Sequence, residues 1–89
     1  SDGDATQKAV RKLLTAWQSQ IEPDLNRIIA SWVRARGEGA AEAKQLLALA
    51  RKLPVMLQGE TPDLAKAKRT IAFFVKAKAG MGAASKAAE

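Results

Sequence analysis

Few side chains in this sequence could carry out acid–base or nucleophilic chemistry. The 89 residues include no histidine and no cysteine, which removes the commonest general base, the commonest metal ligand and the thiolate nucleophile. Nine carboxylates remain, but no two converge in the sequence pattern, and no hydroxyl has a histidine partner. The composition does not exclude a catalytic Ser–Lys dyad, although no residue spacing supports one. No phosphate-binding loop, dinucleotide fingerprint, calcium loop or zinc spacing occurs. We therefore predict no enzymatic activity, no cofactor and no metal site.

Binding of an anion is the chemistry that the charged residues favour. The chain carries fifteen Lys and Arg against nine Asp and Glu, a formal net charge of +6. Many of these charges have a structural explanation, because acids lie near predicted helix starts and cations near predicted helix ends, where they complement the helix dipole. In an up-and-down helical arrangement, however, eight cations, some of them these helix-end residues, gather at one end beside two Gly-x-Gly turns whose backbone could approach a phosphate. The candidate anion-binding or nucleic-acid-binding residues of this basic pole are Lys8, Arg11, Lys12, Arg34, Arg36, Lys44, Lys76 and Lys78.

The aromatic residues are more typical of a core than of a stacking surface. Trp17 and Trp32 lie on apolar stripes and are predicted to anchor the core, since large aromatic side chains dominate the burial of small domains. Phe73 lies opposite the predicted buried face of its helix, so we expect it to be exposed. It is either a stray exposed residue or, together with Arg69, a contact with another chain.

Four amphipathic segments carry these residues. Apolar side chains recur at helical spacing within residues 10–21, 25–33, 46–53 and 64–75. No alternating pattern of useful length competes with them, so no strand is predicted. Short connections between amphipathic helices favour antiparallel neighbours. The sequence thus predicts an all-α fold, a small antiparallel four-helix bundle.

Proline, glycine and capping residues predict where the helices begin and end. Pro23 is expected to end the first helix and open the second, because a proline pushes the residue before it away from helical conformation. Gly37 should end the second helix in the left-handed conformation. Pro54 should stop or kink the third helix. Thr61 should cap the fourth helix, and Gly80 should end it.

Two segments of the chain nearly repeat each other. Residues 29–41 read IASWVRARGEGAA, residues 71–84 read IAFFVKAKAGMGAA, and a Pro-Asp-Leu triplet precedes both. The repetition suggests one helical hairpin used twice. Chance similarity in a chain rich in alanine and lysine is the alternative, and the bundle prediction does not depend on the choice.

The domain organisation follows from the same pattern. Residues 1–4 are predicted to be a flexible leader, residues 5–80 the helical bundle domain, and residues 81–89 a flexible tail. Because the sequence opens on Ser1 without an initiator methionine, we interpret it as a processed product or as one domain of a larger protein.

These features predict a non-enzymatic helical binding module that mediates protein–protein interaction or assembly. The alternative is a nucleic-acid-binding module that uses the basic pole, which steep salt dependence would reveal. A membrane role is disfavoured, because a basic amphipathic segment such as residues 64–79 is usually a core helix. No signal peptide is visible and no apolar run approaches the ~20 residues of a membrane span, so the cytoplasm is the simplest predicted location. The sequence leaves the identity of the partner and the oligomeric state open.

Overall fold

The computed structural model describes the backbone of residues 2–88 and the side chains of residues 3–82. It contains the α-helices α1 (Asp2–Ala16), α2 (Leu25–Ala35), α3 (Ala40–Met56) and α4 (Leu64–Ala88). No strand occurs in this described part of the chain. The prediction of an all-α fold is confirmed.

The first two helices are not separate elements. A turn of π-helix at Trp17–Ile21 and a turn of 3₁₀-helix at Glu22–Asp24 join α1 directly to α2. Helical backbone therefore runs without interruption over residues 2–35, and the described residues form three helical segments. The four-helix bundle is accordingly not confirmed.

Pro23 changes the hydrogen-bond pattern of this segment without ending it. Proline contributes no N–H, so a regular α-helical ladder cannot pass through it unchanged. The π-helical turn closes with a hydrogen bond from the Glu22 N–H to the Trp17 carbonyl. The 3₁₀-helical turn closes with a hydrogen bond from the Leu25 N–H to the Glu22 carbonyl. Glu22 keeps helical dihedrals, with φ −50° and ψ −46°, and the predicted break before Pro23 is therefore wrong. Pro54 lies within the last turn of α3, close to the stop predicted there.

The other elements pack around α4. It contacts α1, the π-turn, α2 and α3, and α2 also packs against α3. The main packing contacts of α1 are with α4, and α1 and α2 do not lie side by side like the arms of a hairpin. The prediction of two similar hairpins is therefore not confirmed. The molecule is elongated, with principal extents of 51 × 26 × 18 Å.

The core lies where the π-turn, α2 and α3 meet α4. Trp17 and Phe74 are almost completely buried, and their rings make an edge-to-face contact with centroids 5.3 Å apart. Aromatic pairs of this geometry contribute about 0.5–1.5 kcal/mol beyond the area that they bury. The core role predicted for Trp17 is confirmed. The other buried apolar residues are Ile21, Ile28, Ile29, Val33, Ala50, Leu53, Leu57, Ala67 and Ile71.

The end of α2 is the one that the sequence predicted. Gly37 has φ +66°, a left-handed conformation that glycine adopts without steric cost. The Glu38 N–H bonds to the Val33 carbonyl at 3.0 Å, and the Gly37 N–H bonds to the Arg34 carbonyl at 3.1 Å. These paired bonds satisfy carbonyls that the helix leaves without a partner. The turn at residues 36–39 then leads directly into α3.

The start of α4 is capped by a different residue from the one predicted. Asp63 Oδ1 accepts the Lys66 N–H at 3.0 Å, and the Asp63 carbonyl accepts the Ala67 N–H at 3.0 Å. This is the arrangement of an N-cap residue, and aspartate is among the strongest residues at that position. Thr61 lies two residues before the cap, so its predicted capping role is wrong.

α4 also continues past Gly80, where the sequence predicted its end. The surrounding alanines and lysines favour helix, which offsets the roughly 1 kcal/mol cost of an interior glycine. Residues 81–88 of the predicted tail continue the helix, and Glu89 lies outside the described residues. At the other end, α1 begins at Asp2 within the predicted leader, of which Ser1 lies outside the described residues.

Candidate binding surfaces

The cations predicted to form a basic pole lie on four helices. Lys8, Arg11 and Lys12 are on α1, Arg34 and Arg36 are at the end of α2, Lys44 is on α3, and Lys76 and Lys78 are on α4. The predicted grouping of these eight cations at one pole assumes that α1 and α2 are antiparallel neighbours. In the structure, α1 packs mainly on α4. The turn at residues 36–39 keeps the cations that end α2 close to the start of α3. No hairpin brings the cations of α1 to that turn, and the binding role of the eight residues stays a prediction.

Lys78 is engaged within the protein. Its Nζ donates a hydrogen bond to the Gln20 carbonyl at 2.6 Å and lies 3.0 Å from Asp24 Oδ2. The other Asp24 oxygen pairs with Arg27 at 3.0 Å. The hydrogen bond from Lys78 holds the pKa of Asp24 below its ordinary value, helped by the charges of Lys78 and Arg27 and opposed by partial desolvation. Lys78 thus ties α4 to the π-helical and 3₁₀-helical turns between α1 and α2.

A cluster of two aromatic rings and one arginine lies at the seam between α2 and α4. The rings of Trp32 and Phe73 meet edge to face at 5.6 Å, and the Arg36 guanidinium carbon lies 3.9 Å from the Trp32 ring centroid. Both aromatic side chains are half-buried. The predicted exposure of Phe73 is therefore wrong, because α2 packs against that side of α4 and Trp32 partly covers the ring. Arg69 is exposed one helical turn before Phe73.

An open, mainly apolar groove runs between α2 and α3. Its volume is about 230 Å³, and it is lined by Asn26, Ile29, Ala30, Ala43, Lys44 and Leu47. The small side chains of Ala30 and Ala43 leave space between the two helices that larger side chains would fill. Leu47 is half-buried here and Ala30 is exposed, so apolar surface of the groove is accessible to solvent.

The charges around this groove are mainly positive. Lys44 lines it, and none of its lining residues is acidic. Arg34 and Arg51 are both exposed, and each follows a lining residue by four positions, the spacing that places helix residues on one face. Glu22, four residues before Asn26, is the one described acid at such a spacing. The groove therefore has an apolar floor, one lysine in its lining, and two arginines against one glutamate at four-residue spacings from lining residues.

The described residues contain few buried polar side chains and few clustered acids. No group of three or more Asp and Glu side chains lies close enough in this part of the chain to hold a metal ion. Thr70 is the buried polar residue of the described core, and its Oγ1 donates to the Lys66 carbonyl at 2.9 Å. Among the helices of the described residues, none combines the length and the apolarity that crossing a bilayer would require.

The groove is the surface that the sequence prediction missed. Ala30 and Ala43 are small residues in an alanine-rich chain, and nothing in their spacing marks them as neighbours. They come together only because α3 packs back against α2. The repeated Ile-Ala pair includes residues 29–30, but in the sequence this repeat predicts duplication and not a groove.

Comparisons of the chain with known protein families, with curated proteins and with solved structures found no match.

Proposed function

We propose that this chain is a non-enzymatic helical binding module that holds a segment of a partner protein in the groove between α2 and α3. The observation that carries the proposal is an open groove of about 230 Å³ with apolar lining. Pockets for small molecules are larger, roughly 300–1,000 Å³, and enclose most of the ligand. An open groove of smaller volume suits a few side chains of a docked protein segment better.

A photo-crosslinking amino acid at position 30 tests this proposal. Ala30 lines the groove and is exposed, so a crosslinker there should capture the partner from a nuclease-treated lysate of the source organism. Position 48 is the matched control, because Ala48 is also exposed on a helix but does not line the groove. We expect capture from position 30 and little from position 48.

A blocked groove makes the test specific. Asn26 is an exposed lining residue, so Asn26→Trp should fill the groove while leaving the helical circular dichroism unchanged. Capture from position 30 should then disappear. Three outcomes would contradict the proposal: capture that persists in the Asn26→Trp variant, equal capture from positions 30 and 48, and no capture from either position.

Nucleic-acid binding is the second candidate function, and the cluster of Trp32, Phe73 and Arg36 favours it. Aromatic rings beside cations are typical of surfaces that bind single strands, and exposed Arg69 lies one turn from Phe73. Arg36 already stacks on the Trp32 ring, however, which leaves less of that ring open to a base. Capture that is lost on nuclease treatment and falls steeply with rising salt would favour this candidate over a protein partner.

A further inference from the structure

The groove is shaped to accept apolar side chains from a helix. Ile29 and Leu47 supply apolar walls, and the alanines at positions 30 and 43 keep the space between them open. A helix presents side chains at positions i, i+3, i+4 and i+7 along one face, and such a row fits a groove between two packed helices. A segment that binds by strand addition would need a free sheet edge, and the described residues contain no strand. Proline-rich extended segments dock in aromatic-lined grooves, and none of the lining residues here is aromatic.

The one charged residue that lines the groove is a lysine, and two exposed arginines lie at same-face spacings from its lining. Lys44 lines the groove, and Arg34 and Arg51 lie at same-face positions four residues beyond lining residues. Glu22 offsets only part of this positive charge. Complementary charges at a rim increase the association rate and disfavour partners with the same sign of charge.

A second copy of this chain does not have the negative charge that would complement the cations at the groove. Each copy carries a formal net charge of +6, so two cationic rims brought together would repel each other. The charge complementarity therefore favours a different protein over self-association at this surface.

We propose that the segment held in the groove is an acidic amphipathic helix of a partner protein, an inference that rests on the proposed function. Its apolar face enters between Ile29 and Leu47. Its Asp and Glu side chains flank that face and meet Lys44, Arg34 and Arg51. Apolar contacts supply most of the affinity, and the charges supply selectivity and association rate.

A selection from a displayed library of helical peptides, randomised at their surface positions, tests this inference against the full chain. Counter-selection on the Asn26→Trp variant removes peptides that bind elsewhere. The surviving peptides should carry apolar residues at helical spacing, flanked by Asp and Glu. Their amide chemical-shift footprint should lie within residues 26–30 and 43–47. Neutral or basic peptides, a footprint elsewhere, or no groove-dependent binder would overturn the inference.

Two variants of equal charge separate recognition at the rim from general attraction to a basic protein. Lys44 lines the groove, whereas Lys52 is exposed on the same helix and does not. Lys44→Glu should weaken binding of a selected acidic peptide by about tenfold or more, and Lys52→Glu by less than about twofold. Equal weakening by the two variants would show that the peptide responds to net charge alone, and would overturn the inference.

The crosslinking experiment shows whether the proposed function fails or only the inference that the bound segment is an acidic helix. If position 30 captures a partner through a neutral or basic segment, the proposed function stands and the acidic-helix inference fails. If no groove-dependent capture occurs, both fail together.

Discussion

Asp24 and Asp63 occupy the same place in the repeated Pro-Asp-Leu triplet but make different contacts. Asp63 accepts a backbone N–H and caps α4. Asp24 makes no such capping bond and instead receives the side chains of Arg27 and Lys78. The difference arises because α4 passes close to the 3₁₀-helical turn before α2. This tertiary contact brings Lys78 to Asp24, a pairing that no local pattern predicts.

The pairing of Asp24 predicts a pH-dependent contribution to stability. Its pKa is lower in the folded protein than in the unfolded chain. The contribution is therefore present above the unfolded pKa, about 4, and is lost as the pH falls through the folded value. Asp24→Asn should lower the free energy of unfolding at pH 7, and the difference from the parent protein should shrink towards zero at strongly acidic pH. Urea unfolding at both pH values measures it.

A surface carboxylate provides the control for this experiment. Glu60 is exposed in the loop before α4, and Glu60→Gln should change stability little at either pH. An Asp24→Asn difference that stayed constant down to strongly acidic pH would show that the carboxylate charge contributes nothing.

At the level of elements, the two glycines that open the repeated Gly-x-Gly motifs behave differently. Gly37 adopts φ +66° and ends α2, whereas Gly80 lies inside α4. The preceding valines differ as well, since Val33 is 7% exposed and Val75 is 42% exposed. Val75 belongs to the apolar stripe within residues 64–75 that predicts the buried face of α4, and for this residue the prediction is wrong. Similar short sequences therefore specify similar helices but not the same environment.

Alanine substitutions at these two glycines should have opposite effects. Gly37→Ala forces a side chain into the left-handed conformation and should destabilise the protein by about 1 kcal/mol or more. Gly80→Ala meets no atom within 4 Å and should stabilise α4 by roughly 0.5–1 kcal/mol. Thermal and urea unfolding of both variants measure the effects. Destabilisation by Gly80→Ala would indicate that the helix ends there, as the sequence alone suggests.

At the scale of the whole molecule, irregular helical turns follow α1 where a compact bundle would have a loop. The radius of gyration of the Cα atoms is 14.7 Å. A compact chain of this length is expected to have a radius near ~12 Å. Two features contribute to the elongation: α1 does not return alongside α2, and α4 is a single helix of 25 residues.

Small-angle X-ray scattering should distinguish the two shapes. We expect a radius of gyration near ~15 Å, independent of protein concentration, rather than the ~12 Å of a compact fold. A concentration series is the control, since association would raise the apparent radius as protein is added. A concentration-independent value near the compact limit would mean that α1 folds back in solution.

The sequence by itself determined the features that depend on neighbours along the chain. Apolar side chains at helical spacing marked part of each of the four α-helices, although not the end of α4 after Gly80. The same local pattern predicts Trp17 as a core residue and Gly37 as a terminator. These depend on backbone sterics and on side chains within one or two turns, so local residues are sufficient to predict them.

Only the tertiary structure decided how the helices meet. The sequence predicts that Pro23 separates two helices, yet helical backbone continues through it as irregular turns. Contacts of Trp17 with Phe74 and of Lys78 with Asp24 join this segment to α4. The groove between α2 and α3 likewise exists only after Ala30 and Ala43 are brought together. Their proximity depends on the docking of α2 against α3, a balance among many packing contacts that no short stretch of sequence contains.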